Sequence, residues 1–194
     1  MQTAITNFDI KKYPAKIRYI GGVDPLDIKN TYFSIIETNP TIFILSGIPL
    51  SGKSTWAKKY CNYSWHKIKI ISRDQIRMEV FKLKKYSNYK FTKNNEQFVT
   101  VIFDIELEKS ISKQYDIILD NTHCKEAYID SVIKKFEKTN YEIKVLFFDI
   151  SLTKTFIRNI FRYIKSGKYI PWKVIKEMKK NYQKINKNKY NEYC

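Results

Sequence analysis

The stretch GIPLSGKST, Gly47 to Thr55, sets two glycines five positions apart and follows the second with Lys-Ser-Thr. That spacing suits phosphate. Glycines let backbone N–H groups converge on anionic oxygens at a helix N-terminus, the lysine reaches the terminal phosphates, and the first hydroxyl helps to hold magnesium. Gly47, Leu50, Ser51, Gly52, Lys53, Ser54 and Thr55 are therefore the expected nucleotide-binding residues. Lys53 is expected to act on the transferring phosphate and Ser54 on the metal, with ATP and magnesium as the bound groups.

Two aspartates stand where such a cradle would use them. Asp74, in IISRDQIRMEV, follows a strand and falls in the first turn of a helix, so it shares the rim of the loop. A carboxylate there can take the proton of an attacking hydroxyl; the macrodipole of a helix N-terminus favours an aspartate at the same position for stability alone. Asp120 closes the apolar strand YDIILD. From a strand's C-terminal end it reaches the loop hydroxyl or a magnesium-bound water, and a loop-capping role fits the same position.

Arginine is scarce in this chain: of 36 Lys+Arg only Arg18, Arg73, Arg77, Arg158 and Arg162 are arginines. Arg77 lies one helical turn after Asp74, where a planar fork would grip an acceptor phosphate; an Asp–Arg surface pair of little energetic worth has the same spacing. Arg158 and Arg162, in FIRNIFRYIKSGKYIP, share a helix face just before Ser166-Gly167. That is the layout of a lid whose closure brings an arginine onto a phosphoryl group, and also that of a solvated helix face.

The elements that must position these residues alternate regularly from residue 41. TIFILS, KIKII, YDIILD and YEIKVLFFDI read as strands. Helices follow at GKSTWAKKY, residues 73 to 85, a segment around Phe98 to Leu107, and residues 125 to 138, and two more close the chain around SGKYIP. Strands alternating with helices predict a parallel sheet covered on both faces. Residues 1–40 carry the turn-rich GGVDPLD and no regular pattern, and are expected to form an N-terminal extension to a domain over 41–194.

The chain of 194 residues has a net charge of +17 and 43% hydrophobic residues. Such charge favours a polyanionic partner, although abundant Lys, Asn, Ile, Tyr and Phe are also what an A+T-rich genome encodes. No apolar run is long enough for a membrane span and MQTAITNFDIKKYP lacks the core of a signal peptide, so a cytoplasmic protein is expected. Self-association is compatible with the sequence. Cys61, Cys124 and Cys194 form neither a disulfide framework nor a metal motif, and neither His66 nor His123 has partners at a metal-ligand spacing. His123 closely follows the second carboxylate, a position that suits a wall of the acceptor pocket, but a satisfied surface histidine is the expectation.

Over residues 41 to 185 the order of motifs resembles the kinase domain of the phage-type 5′-hydroxyl polynucleotide kinases. GIPLSGKSTWAKKY is similar to that family's P-loop and helix, SRDQIR to its Arg-Asp-x-x-Arg motif, YKFTKNNEQFVT to its connecting segment, ILDNTH to its second-carboxylate strand, and FIRNIFRYIKSGKYIP to its Arg-Asn lid. The resemblance implies an α/β, P-loop NTPase-type three-layer fold with a parallel sheet and a C-terminal helical lid. It implies transfer of the ATP γ-phosphate to 5′-hydroxyl ends of DNA or RNA, single-stranded or nicked, in nucleic-acid repair. By motif match Asp74 is the general base, Arg77 contacts the acceptor phosphate, and Asp120, Asn121 and Thr122 line the acceptor side. Three departures stand out. Leu50 replaces a glycine, which predicts an ordinary backbone conformation there; the family's Asp-Thr-Asn order reads Asp120-Asn121-Thr122; and the lid is longer, so that Arg162 and Lys165 compete for the transition-state position. Arg162 keeps the family spacing and is preferred. The phosphatase domain that often follows in that family is not expected after the lid.

Two rival functions share some of these residues. A small-molecule kinase acting on a nucleoside, an antibiotic or a sugar nucleotide would keep Lys53, Ser54 and Asp74 without a basic surface beyond one pocket. A nucleotide-binding module without phosphoryl transfer would be indifferent to loss of Asp74. The lysine-rich KVIKEMKKNYQKINKNKY offers a funnel for a polyanionic strand with Tyr86, Tyr89 and Phe91 as stacking surfaces, or a solvated face and core aromatics.

Overall fold

A computed structural model describes residues 39–64 and 67–193. Arg18, His66, Cys194 and the expected N-terminal extension up to residue 38 lie outside the described residues.

Apolar runs bounded by turns form four strands: β1 (Thr41–Ser46), β2 (Ile68–Ile71), β3 (Asp116–Leu119) and β4 (Glu142–Phe147). They pair in parallel in the order β2-β3-β1-β4. The helices between them are α1 (Lys53–Tyr63), α2 (Arg73–Val80), α3 (Lys93–Ser112) and α4 (Glu126–Phe136), with α5 (Leu152–Ser166) and α6 (Trp172–Gln183) after β4.

The pleat explains the layers. Ile42 and Ile44 of β1 point to one side, towards Val99 and Leu107 of α3, Ile129 and Ile133 of α4, and Ile175 and Tyr182 of α6. Phe43 and Leu45 point to the other, towards Trp56, Ala57 and Tyr60 of α1. Successive strand residues face opposite ways, so a run apolar at every position needs cover on both faces. Phe43 meets Trp56 at 5.6 Å and Tyr60 at 4.8 Å between ring centroids, both edge-on, which seats α1 on the sheet and aims its N-terminus at the strand ends.

Two boundaries differ from the sequence reading. The α2 helix stops at Val80 rather than 85: Lys82 takes a left-handed conformation (φ 48°), which turns Phe81 and Leu83 into the core beside Tyr89. The lysine-rich terminal helix ends at Gln183, after which a short 3₁₀ segment (Lys187–Tyr193) brings Tyr190 into the core. Its lysines are not a uniform solvated face: Lys179 donates to the Ile150 carbonyl at 2.9 Å, Lys187 pairs with Asp149, and Lys189 pairs with Asp130 at 2.7 Å. Among the described residues no helix is long and apolar enough to cross a membrane.

Candidate active site

The C-terminal ends of β1, β2 and β3 lie along one edge, and each leads into a segment that carries expected site residues. After β1, Gly47 (φ 157°), Leu50 (φ 68°) and Gly52 (φ 107°) turn the chain into α1. A Cβ at Gly47 would meet the Phe148 carbonyl at 2.7 Å, so only glycine fits; above Gly52 nothing lies within 4 Å. The α1 N-terminus has no side-chain cap and no acid in its first turn, which leaves its backbone donors facing that open space. Leu50 corrects the sequence expectation: it adopts the left-handed conformation that the replaced glycine would take freely. The strain, on the order of 1 kcal/mol for a residue with a Cβ, is accompanied by a bond from Arg158 Nη1 to the Leu50 carbonyl at 2.8 Å.

Lys53 is buried and folds back onto the loop, donating to the carbonyls of Gly47 and Ile48, both at 2.8 Å, and to Ser51 Oγ at 3.3 Å. Ser54 and Thr55 are exposed at the start of α1. Burial lowers the Lys53 ammonium to about 8, against the pull of Cys124, Asp120 and Asp74 and with the push of Arg162. A phosphate needs the charged form. Nucleotide affinity should therefore fall as pH rises through about 8, by up to about tenfold per pH unit; titration calorimetry from pH 6.5 to 9.5 on wild type and Lys53→Arg checks it, the variant losing the slope.

The loop is braced from behind by the segment after β3. The Gly47 N–H donates to the Thr122 carbonyl at 2.9 Å, and Ser46 Oγ to the His123 carbonyl at 2.8 Å. His123, expected at the surface, is buried: its Nδ1 lies 3.0 Å from the Leu45 carbonyl, which requires the proton on that nitrogen. Burial, reinforced by Lys53 and opposed by the Leu45 bond, lowers its pKa to about 4. The unfolded chain thus binds the proton more readily between 6.5 and 4, so the stability His123 supplies at neutral pH is lost as pH falls through that window. Denaturant melts at pH 7 and pH 5 should show wild type losing on the order of 2 kcal/mol more than His123→Gln.

At the α2 N-terminus the two arginines divide their roles. Arg73 donates to Thr100 Oγ1 at 2.7 Å and to the Glu96 carbonyl at 3.3 Å, tying α2 to α3. Arg77 presents its fork to Glu96, Nε to Oε1 at 3.0 Å and Nη2 to Oε2 at 2.7 Å, while Nη1 donates to Asp74 Oδ1 at 2.8 Å. Its side chain is only 12% exposed, so this is no loose surface pair. Tyr86 Oη donates to the same Asp74 oxygen at 2.7 Å, and Lys168 pairs with Asp74 Oδ2. Burial alone would raise the Asp74 carboxyl; Lys168, Tyr86 and Arg77 outweigh it and hold it below the usual carboxylate range. Arg162 is half-buried and close enough to Asp74 and Lys53 to couple with both, whereas Lys165 is exposed.

The three residues expected on the acceptor side are split. Asp120 sits just past β3, its N–H on the Ile71 carbonyl at 3.1 Å, near enough to Lys53 to raise its pKa. Asn121 turns the other way: its Oδ1 accepts from the Arg73 N–H at 3.1 Å, occupying the side chain as a brace for the start of α2. Thr122 gives its carbonyl to Gly47 and to Cys124 Sγ. On the far side of the loop an open groove of about 450 Å³ runs between Ser51, Ser151, Lys154, Arg158 and Lys179.

Residues 42–185 match a family model described as an AAA domain. The chain belongs to this AAA-domain family. Among curated proteins the chain is 25% identical over 190 residues to one that carries the name of a bifunctional polynucleotide kinase/RNA ligase of Autographa californica nuclear polyhedrosis virus. The match takes in 93% of this chain but only 26% of that protein, so the chain spans about a quarter of its relative. Among solved structures a chain of the Pnkp1/Rnl/Hen1 RNA repair complex is similar at 20% identity and a TM-score of 0.69, over 83% of this chain and 49% of that one. A chain of the PezAT toxin–antitoxin system of Streptococcus pneumoniae is similar at 17% identity and a TM-score of 0.58, over 79% and 64%. At these identities the two structures speak for the fold, which agrees with the α/β, P-loop three-layer arrangement and its parallel sheet.

Sequence reasoning missed what four residues do at the AAA domain's site. Glu96 sits nineteen positions from Arg77, within a segment quoted only for its resemblance. Tyr86 and Lys168 meet at Asp74 from 12 and 94 positions further along the chain. Asn159 was read only as half of an Arg-Asn pair; buried, it clamps the lid by donating to the Ile170 carbonyl at 2.8 Å and accepting from the Ile170 N–H at 3.2 Å. Of the three expected stacking aromatics, Tyr89 is buried and donates to Glu96, Tyr86 is held on Asp74, and Phe91 alone is broadly exposed, 5.3 Å from the Arg77 guanidinium.

Proposed function

We propose that this AAA domain is an ATP-dependent polynucleotide 5′-hydroxyl kinase acting on DNA or RNA ends, single-stranded or nicked, in nucleic-acid repair in the cytoplasm. The observation that carries the reading is the pairing of Asp74 with an Arg77 that Glu96 holds in a bidentate grip, at the same edge as the loop and Lys53. A nucleotide switch needs no such oriented carboxylate–guanidinium pair outside its loop. The named function of the viral relative supports the same substrate class.

The residues fit the nucleotide: open space above Gly52, uncapped donors of α1 and the Lys53 ammonium suit the phosphates, and the groove by Ser51 and Arg158 suits base and ribose. Ser54, exposed at the start of α1, would hold magnesium, with Asp120 beyond it; the ion would supply charge neutralisation for the phosphates. Asp74 takes the proton of the 5′-hydroxyl as its oxygen bonds to the γ-phosphorus; the bond to the β,γ-bridging oxygen breaks and ADP leaves. Arg77 orients the acceptor through its phosphate, and Arg162, rather than exposed Lys165, neutralises the developing charge from the lid.

The test is transfer of labelled γ-phosphate from ATP to a 5′-hydroxyl oligonucleotide, beside a mononucleoside 3′-phosphate and the bare nucleoside. Label on the first two and not the third is expected. Label on none, with ATP still bound, would sink the reading.

A further inference from the structure

Asp74 has two oxygens and three donors around them. Oδ1 accepts from Arg77 Nη1 and from Tyr86 Oη, which fills its two lone pairs; Oδ2 is taken by Lys168. The one lone pair left, on Oδ2, lies beside the Lys168 ammonium, which covers that oxygen and makes it a poor base for a hydroxyl. Asp74 becomes a better base when one donor leaves, and the structure distinguishes which can. Arg77 is locked by Glu96, and Tyr86 is tied into the short 3₁₀ turn Tyr86–Asn88. Lys168 is a point charge on a flexible four-carbon stem. Its backbone is set by Gly167 in the left-handed C-cap of α5 and by the Asn159 clamp two residues on, while its ammonium lies 3.4 Å from the Tyr86 ring centroid.

The surroundings also favour its departure once an anion enters. Burial lowers the Lys168 pKa, opposed by Asp74, the carboxylate it contacts, and helped by Arg162 and Arg77, which face it. A phosphate arriving among these cations offers Lys168 a second, more highly charged partner.

We propose that Lys168 is an exchangeable counter-ion of Asp74: it occupies Oδ2 while the site lacks phosphate, and moves onto substrate phosphate as the site fills, uncovering the oxygen that takes the hydroxyl proton. In the resting state it is a positioning residue that keeps the base covered; in the loaded state it touches phosphate. The proposal rests on the assignment of Asp74 as the base. The phosphate comes either from the γ-position of the nucleotide or from the acceptor end.

Equilibrium binding separates the two sources without turnover. The non-hydrolysable analogue AMP-PNP with magnesium, and a mononucleoside 3′-phosphate, are titrated separately into wild type, Lys168→Met, Asp74→Asn and the double variant. The anion that receives Lys168 should bind Lys168→Met about tenfold more weakly. It should bind Asp74→Asn more tightly than wild type, because the lysine no longer has to be drawn from a carboxylate, and the gain should vanish in the double variant. The acid limb of kcat/KM should move to higher pH in Lys168→Met, since Asp74 loses a cation that holds its pKa down; Arg77, Tyr86 and Arg162 still face it. Unchanged affinity for both anions in Lys168→Met would overturn the proposal, as would an Asp74→Asn that binds neither more tightly. Should Lys168→Met not fold, the Asp74→Asn arm decides alone. Failure of oligonucleotide phosphorylation with the binding pattern intact would reject the proposed substrate and leave the exchange standing.

Discussion

Asp74→Asn lowers γ-phosphate transfer to a 5′-hydroxyl oligonucleotide by about 10³-fold or more, while nucleotide binds at least as tightly as to wild type. The amide keeps the shape of the carboxylate but neither takes a proton nor holds a charge opposite Lys168 and Arg77. Its NH₂ also turns a donor towards one of the three donors that now meet this side chain, so some local rearrangement around Tyr86 is expected with it. Rapid-quench single-turnover kinetics at saturating ATP isolates the chemical step. Transfer within tenfold of wild type, taken as about 1.4 kcal/mol, would remove Asp74 from the role of base.

Glu96→Ala is the second large effect, and it was invisible before the fold was known. Glu96 accepts two bonds from Arg77 and one from Tyr89 Oη at 2.7 Å, and lies 3.5 Å from Arg73. Its pKa is held down chiefly by the Arg77 bonds, against burial and with help from Tyr89 and Arg73. Removing it leaves an arginine that is 12% exposed without its fork partner. Breaking a fully buried pair costs roughly 3–5 kcal/mol; because the Glu96 side chain is 33% exposed, about 2 kcal/mol is the better figure. For a domain of this size that lowers Tm by about 5 °C. Arg77 then swings free, so kcat/KM for the oligonucleotide should fall about 10²-fold, with the affinity for ATP kept because Glu96 has no part in the loop. Calorimetry and steady-state kinetics read the two effects; a variant with unaltered kcat/KM for the acceptor would show that Arg77 needs no holding.

Much of the fold was legible because its signals are local. Apolar runs at β1 and β3, short, rich in isoleucine and each bounded by a turn, read as strands buried on both faces, and a Gly-x₄-Gly-Lys-Ser spacing specifies a backbone turn and a helix start within nine residues. Position at a strand end likewise put Asp74 and Asp120 on one rim. Boundaries were less legible where a residue unsuited to positive φ adopts it anyway: Lys82 ends α2 and Leu50 bends the loop because packing of Phe81 and Leu83 and the bond from Arg158 outweigh local preference.

What the sequence by itself determined is the cradle, the alternation of strands and helices, and the candidate carboxylates with the arginine one turn from Asp74. Spacing along the chain carries these, and no contact between distant elements is needed to read them. Only the tertiary structure decided which partner each group has. It separated Arg73, a brace on α3, from Arg77, a fork on Glu96; it turned Asn121 away to α2 and buried His123 behind the loop; it set Lys168 on Asp74. These pairings cross 19 to 94 positions of sequence. Such distances are closed by how the helices pack on the sheet, and side-chain charge and burial follow from that packing rather than from the order of the residues.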